Sequence, residues 1–260
     1  MTATVGIDPR IRERRIAVQR DVGHRRLRRL QALGAIVLGL GLAFALTRSP
    51  LLDVDRVTVD TVGAESGVDA DRVREAAAIA PGTPLTSIDP AAIAASVSAL
   101  PDVAAAQVRR EWPGAVRIDV TPRTPAAAVV GADGGWYLVD GDGVVVRHVD
   151  EAPEGMVVLG DLVVRAAPGA ALPAAERSAA AVTAALPPSL GWRVTSVGAH
   201  DGEVQALLAD GGVVAFALDG DHPAAAAAAS AVVETVPPGC VERVDVVVAE
   251  APVLRRAPGC

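Results

Sequence analysis

The stretch LPDVAAAQVRREWPGAVRIDVTPRTPA, from Leu100 to Ala126, decides the fold of the middle of the chain. Within it, Ala104, Ala106 and Val108 occupy every second position, and apolar and polar residues alternate over 116–121. Alternation with a period of two is typical of strands that bury one face. The triplet Trp112-Pro113-Gly114 separates the two runs and predicts the turn that joins them.

Upstream of this stretch, the sequence predicts one more strand and two helices. The run 57–60 alternates as a strand does. Asp69 is a candidate N-cap for a helix that extends to about Ala80, and Asp89 for a second helix that opens on a proline. Residues 48–125 therefore form a strand–helix–helix–strand–strand unit.

Downstream, residues 126–250 are predicted to form mostly strands. Gly-rich turn signals at 133–135 and 140–143 separate short apolar runs. Two helices are predicted over 173–186 and 222–235, each ended by a proline pair. Residues 251–260 have two prolines and a terminal Gly-Cys, and we expect a short tail.

The last predicted strand covers Arg243–Ala249, and its valines alternate in direction. An apolar strand at an open edge of a sheet can accept a strand from a partner. The alternative is that this strand is internal, because sequence does not give the strand order.

Two cysteines, Cys240 and Cys260, bracket the last predicted strand. A disulfide between them would tether the tail at 251–260. Two free thiols are the alternative.

The first part of the chain is typical of a membrane anchor. Residues 1–29 contain nine arginines and three acids, and Leu30–Thr47 contains no charged residue. A helix of that length spans about 27 Å, close to the ~30 Å hydrocarbon core of a bilayer. The positive-inside rule then predicts a cytoplasmic tail at 1–29, a transmembrane helix at 30–47 and an extracytoplasmic part at 48–260. A signal peptide cleaved near Ala43-Phe44-Ala45 is the alternative.

The arginine-rich tail is expected to contact anionic lipid. No aromatic residue is interleaved with its arginines, which argues against nucleic-acid binding.

Composition excludes several chemistries. The chain has 260 residues, of which 51% are hydrophobic, and all 24 of its basic residues are arginine. A phosphate-binding loop, a pyridoxal enzyme and a Ser-Lys hydrolase each require a lysine. Two cysteines cannot complete a zinc site, and we find no hydrolase motif, so we expect no metal, cofactor, small-molecule substrate or catalysis. The alternative is an anchored or secreted hydrolase with an unrecognised acidic site, which would use Asp140, Asp142, Asp201 and Asp219.

Taken together, these residues resemble the FtsQ (DivIB) family of bacterial cell-division proteins. The family typically has leucine-proline-x-valine, then arginine-x-tryptophan-proline, then an alternating strand that runs into glutamate-arginine-x-proline. The corresponding residues here are Leu100–Val103, Arg110–Pro113 and Arg123–Pro125, but Pro122 stands where the glutamate is usual. Weaker matches are the hairpins at Trp136–Val146 and Asp210–Val214 and the strand motif at Arg243–Val246.

The resemblance implies an α+β fold with a single transmembrane helix. A POTRA-like β-α-α-β-β domain at 48–125 would precede a mostly antiparallel β domain with two helices at 126–250. The family lysine early in the last long helix is absent, because alanines occupy that region.

The resemblance also implies a single-pass scaffold at the division septum that links early division proteins to septal peptidoglycan synthesis. Its partners would be of the FtsB and FtsL type, with FtsK-, FtsW- and FtsI-type proteins as further candidates. A POTRA-type transport component is a further alternative.

Two sets of residues are expected to bind the partners. The resemblance assigns strand addition to Arg243, Val244, Asp245, Val246, Val247, Val248 and Ala249. A second docking surface would use Arg109, Arg110 and Trp112 on the POTRA-like domain. For Trp112 itself we favour a packing role, because buried aromatic side chains mostly serve packing.

Overall fold

The computed structural model describes residues 30–41, Phe44, 52–61 and 67–260. By its contacts the chain divides into two compact units. Of the described residues, the first unit comprises 30–41, Phe44, 52–56, Ala80–Ile88 and Arg110–Val116, and the second comprises 57–61, 67–79, Asp89–Arg109 and Arg117–Cys260.

Helix α1 comprises residues 30–41, and Phe44 is also helical. Among the residues described, no helix is both long enough and apolar enough to cross a membrane. The predicted transmembrane segment at 30–47 falls partly outside the described residues, and the arginine-rich tail at 1–29 lies wholly outside them.

The next five elements follow the order that the sequence predicts. They are β1 (Arg56–Thr61), α2 (Ala70–Ala77), α3 (Pro90–Ser98), β2 (Val103–Glu111) and β3 (Ala115–Pro122). The three strands form a sheet in the order β1-β3-β2.

Both predicted caps are formed by aspartates. The Asp69 carboxylate accepts a hydrogen bond from the Asp71 N–H at 2.9 Å, and the Asp89 carboxylate accepts one from the Ala91 N–H at 3.0 Å. Helix α2 ends at Ala77 rather than near Ala80, because Ala78 adopts a left-handed conformation and closes the helix with its own N–H.

In the first unit, the turn after β2 lies against the backbone of residues 53–56. The Gly114 carbonyl accepts hydrogen bonds from the N–H groups of Asp55 at 2.8 Å and Arg56 at 3.3 Å. A Cβ at Gly114 would lie 2.8 Å from the Asp53 carbonyl oxygen, so this approach requires glycine.

The remaining strands form one nine-stranded sheet. They are β4 (Pro125–Gly131), β5 (Trp136–Asp140), β6 (Val145–Val149), β7 (Val157–Val164), β8 (Val194–His200), β9 (Glu203–Leu208), β10 (Val213–Ala217), β11 (Val241–Asp245) and β12 (Val253–Arg256). Their order is β12-β11-β10-β9-β8-β7-β4-β5-β6.

This sheet is mixed: five of its eight neighbouring strand pairs are antiparallel, in line with the prediction of a mostly antiparallel domain, and three are parallel. β7 pairs in parallel with both β4 and β8, and β10 pairs in parallel with β11. Helix α4 (Ala174–Ala185) connects β7 to β8, and α6 (His222–Glu234) connects β10 to β11. A parallel neighbour requires such a crossover, since a short turn cannot return the chain to the same end of the sheet. A third, short helix, α5 (Pro188–Gly191), was not predicted.

Helices α4 and α6 contact each other and pack on the strands. Their buried side chains are mostly alanine and valine: Ala179, Ala180 and Val182 on α4, and Ala225, Ala226, Ala229 and Val233 on α6. Small side chains bring the helices close to the sheet, and Phe216 on β10 is the largest fully buried side chain in the described part of the chain.

Candidate functional site

The sheet ends at β12, not at the strand that the sequence predicts as the edge. β12 pairs antiparallel with β11, and Val244 lies opposite Leu254. The predicted strand Arg243–Ala249 stops at Asp245, so its first part is internal and its last part is a loop. The residues predicted as a tail supply the edge strand instead, because Val253–Arg256 complete the ladder that β11 would otherwise leave open.

The two end strands of the sheet differ in how they are covered. The start of β6 is covered by the following loop: the Val145 N–H donates to the Ala170 carbonyl at 2.9 Å, and the Gly169 N–H donates to the Val145 carbonyl at 2.7 Å. No backbone hydrogen bond between described residues joins the outer side of β12 to another segment. The outer backbone groups of β12 therefore have no hydrogen-bond partner in the described part of the chain.

An apolar patch accompanies this edge. Val247, Val248 and Val253, which we call the valine patch, are between 43% and 64% exposed. A depression of about 220 Å³ is lined by the 246–250 loop and by the start of α6, including His222. Exposed apolar groups next to an open strand edge favour binding of an extended, partly apolar segment.

Two of the three arginines at this edge are paired with acids, and Arg256 is left without an ion pair among the described residues. On β11, Arg243 is neutralised, because its guanidinium lies 2.5 Å from the Glu203 carboxylate. On β12, Arg255 is exposed and lies 3.6 Å from Glu242, and Arg256 is exposed as well. A partner strand with acidic residues is thus better matched to β12 than a basic one.

A disulfide closes this end of the sheet. Cys240, just before β11, is bonded to Cys260, and their Cα atoms are 5.6 Å apart. The Ala257 N–H donates to the Cys240 carbonyl at 3.0 Å, which continues the pairing beyond β12. The bond and the β11–β12 loop together hold both ends of the edge strand.

Asp210 anchors the chain just before Cys240. Its carboxylate accepts hydrogen bonds from the Gly239 N–H at 2.8 Å and from the Arg193 guanidinium at 2.9 Å. These contacts, first the Gly239 N–H and then the Arg193 side chain, lower the pKa of the Asp210 carboxyl. The β9–β10 turn thereby fixes the point at which the β11–β12 hairpin begins.

The second predicted surface is divided between the two units. Trp112 is 57% exposed, so the prediction that it closes a core is wrong. Its neighbour Arg110 donates to the Ile88 carbonyl at 2.5 Å. In the other unit, Arg109 lies 3.7 Å from Asp119. Trp112 follows a strand end and precedes a cis proline at the tip of a turn, a position where its ring is directed to solvent.

One buried ion pair was not predicted from the sequence. Arg123 and Asp140, whose side chains are 14% and 7% exposed, lie 2.5 Å apart. The other Asp140 oxygen accepts hydrogen bonds from the N–H groups of Asp142 and Val144. The pair joins the end of β3 to the β5–β6 turn, and Arg123 lines a cleft of about 590 Å³. The arginine-x-proline motif at Arg123 is the signal that could have indicated it.

Two of the four acids named for the alternative hydrolase have structural positions. Asp140 is held by Arg123, and Asp201 occupies a left-handed turn position between β8 and β9. Within the described ranges, no three His, Cys, Asp or Glu side chains are grouped so that they could hold a metal ion.

A half-exposed Asp–His pair joins the β4–β5 turn to β6. His148 lies 3.3 Å from Asp133, and the Tyr137 hydroxyl lies at the same distance from the Asp133 carboxylate. The Tyr137 and His148 rings meet edge to face, so this contact contributes to packing on the sheet.

The fold defines a class of protein: a POTRA-type β-α-α-β-β domain followed by a mixed sheet with a free terminal strand. The family model described as "POTRA domain, FtsQ-type" matches residues 58–123. The cell division protein FtsQ of Streptomyces collinus is 36% identical over 226 residues, which cover 83% of this chain and 84% of that protein. This chain belongs to the FtsQ family of cell division proteins.

Two further relatives, both named cell division protein FtsQ, match over smaller parts. The protein of Mycobacteroides abscessus is 33% identical over 74% of this chain and 60% of its own length. The protein of Mycobacterium tuberculosis is 36% identical over 42% of this chain and 33% of its own length. This chain therefore matches only a third of the length of the latter.

Proposed function

We propose that this protein is a single-pass membrane scaffold of the division machinery, with no reaction of its own. Membership of the FtsQ family supports a role in cell division. The scaffold recruits partners at the septum by surface burial and strand addition. The observation that carries the proposal is the open β12 edge with its valine patch.

The proposed topology has residues 1–29 in the cytoplasm, a transmembrane helix at 30–47 and residues 48–260 outside. The uncharged run Leu30–Thr47 and the preceding arginines support it. The Cys240–Cys260 bond gives independent support, because disulfides are rare in the cytosol and persist outside it. The arginine-rich tail binds anionic lipid at the inner surface.

The partner strand is proposed to pair with β12 and to cover the valine patch. Proteins of the FtsB and FtsL type are the proposed partners, through an extended segment with acidic and apolar residues. Of the sequence-predicted residues, Val247 and Val248 stay in this surface, whereas Val244 and Val246 are buried and act by supporting β11.

A second docking surface is proposed on the POTRA domain, at Trp112 and Arg110, which are both exposed. Large aromatic side chains and arginines are the residue types that contribute most at protein interfaces. FtsK-, FtsW- or FtsI-type proteins are the proposed partners there.

The proposal is tested by the location of a functional fluorescent fusion of the full chain in dividing cells. We expect a band at the division site that appears before constriction. A fusion with Val253→Asp changes an exposed side chain of β12. We expect this variant to fold but to lose its function in cell division. Fluorescence of the unaltered fusion that is spread uniformly around the membrane would contradict a role at the septum.

A further inference from the structure

The edge strand β12 is held in the sheet with little help from the core. Val253, Arg255 and Arg256 are exposed, and only Leu254 is half-buried. On the neighbouring strand β11, Val241 and Val244 are buried at 3% and 0% exposure. If the ladder between these two strands opens, β12 leaves and β11 stays, because burial of apolar surface anchors only β11.

Covalent closure compensates for this weak attachment. Cys240 and Cys260 are separated by 20 residues, and the segment between them contains both strands of the hairpin. At the other end of the hairpin, the Val246 N–H donates to the Ala215 carbonyl on β10 at 2.9 Å, which fixes where β11 stops. With the disulfide closed, β12 can move only between two fixed points.

We infer that the Cys240–Cys260 disulfide is a redox-sensitive latch on the edge of the sheet, and that its reduction releases β12 and opens the outer side of β11. One consequence of the latch rests on the proposed function, namely which strand the partner pairs with. In the oxidised protein the partner strand pairs with β12, and in the reduced protein it pairs with β11. Residues Arg243–Asp245, the first part of the strand that the sequence predicts as the edge, become the edge in the second state.

The chemistry requires a dithiol reductant, such as a thioredoxin-like protein outside the cytoplasm. A reductant thiolate attacks the Sγ of Cys260, which is exposed, and forms a mixed disulfide while the Cys240 thiolate leaves. The second reductant thiolate then displaces the Cys260 thiolate. The reductant becomes a disulfide, and Cys240 and Cys260 take up two electrons and two protons.

The size of the effect follows from the loop that the bond closes. On the chain-entropy model, closing a loop of this length favours the closed state by a factor of about 250. We expect at least a tenfold change in the opening of β12; the four pairs of the ladder are broken in either state and do not alter this ratio.

Hydrogen–deuterium exchange of the full chain in detergent micelles tests the latch without any partner. The amides of Val253–Arg256 are compared before and after reduction with dithiothreitol. We expect exchange at β12 to be at least tenfold faster after reduction, with amides of β4 and β5 unchanged as the internal control. A Cys240→Ser/Cys260→Ser variant is expected to match the reduced protein without any reductant.

Two results would overturn the inference. Equal exchange at β12 in the oxidised and reduced protein would show that the bond does not hold the strand. Equal acceleration in β4 and β5 would show that the bond supports the whole domain rather than its edge. Either result leaves strand addition at β12 untouched, because that proposal is tested by crosslinking to a partner.

Discussion

Replacing Asp140 with alanine is expected to cost about 3–5 kcal/mol of unfolding free energy, the usual cost of removing one partner of a buried ion pair. Arg123 would keep its charge at 14% exposure with its nearest carboxylate gone. The N–H of Val144, which donates to Asp140 at 2.8 Å, would also lose its acceptor. Both losses act in the same direction, because Arg123 keeps only the exposed Asp142 carboxylate, 3.8 Å away, and the half-buried Val144 N–H loses its acceptor.

The assay is thermal unfolding of the full chain in detergent, followed by tryptophan fluorescence. At about 2–4 °C per kcal/mol for a domain of this size, the melting temperature should fall by roughly 6–20 °C. Asp142→Ala is the matched control, because Asp142 lies two residues away, is 84% exposed and is 3.8 Å from Arg123. We expect it to change the unfolding free energy by less than about 0.5 kcal/mol.

A double variant separates the ion pair from other effects. Arg123→Met combined with Asp140→Ala should recover part of the lost stability, because no uncompensated charge then remains buried. The reasoning is refuted if Asp140→Ala melts within 2 °C of Asp142→Ala, or if the double variant is as unstable as the sum of both single changes.

Three further predictions concern the edge and the second surface. Thiol titration of the denatured chain should find no free thiol before reduction and two after it, from Cys240 and Cys260. Two free thiols before reduction would show that the disulfide is absent and would refute the latch. Because the pKa of Asp210 is lowered in the folded state, its ionised form contributes stability above the unfolded pKa of about 3.9, and this contribution is lost as the pH falls through the folded value. Asp210→Asn should therefore reduce the drop in melting temperature between pH 5 and pH 2; an unchanged drop would show that Asp210 does not contribute to it. Trp112→Ala should leave the melting temperature within about 2 °C but weaken partner recruitment, since the ring is exposed; a fall as large as that of a buried tryptophan would restore the packing role.

Local features of this fold could be predicted from sequence. The caps at Asp69 and Asp89 depend on a carboxylate and an N–H two residues later, so the signal is contained in a few residues. The POTRA strands could also be predicted from sequence, because a period of two is visible within one strand. The hairpin turn at 210–212 follows from its Asp-Gly-Gly sequence.

Features that depend on distant partners could not be predicted in this way. The parallel pairing of β10 with β11 is set by where α6 packs, and no residue within either strand encodes it. β12 has only one half-buried residue and lies among prolines, so its sequence is typical of a tail. The Arg123–Asp140 pair joins residues 17 apart across two elements, and the motif around Arg123 does not indicate which acid it pairs with.

The central claim, that a partner strand binds at β12, is tested most directly by photo-crosslinking in dividing cells. A photoreactive amino acid is placed at Arg255 on β12 and, as the matched control, at Arg147 on β6, the strand at the opposite end of the sheet. Both side chains are exposed. We predict a crosslinked adduct with an FtsB- or FtsL-type protein from position 255 and none from position 147. Adducts from both positions alike, or from position 147 only, would contradict the claim.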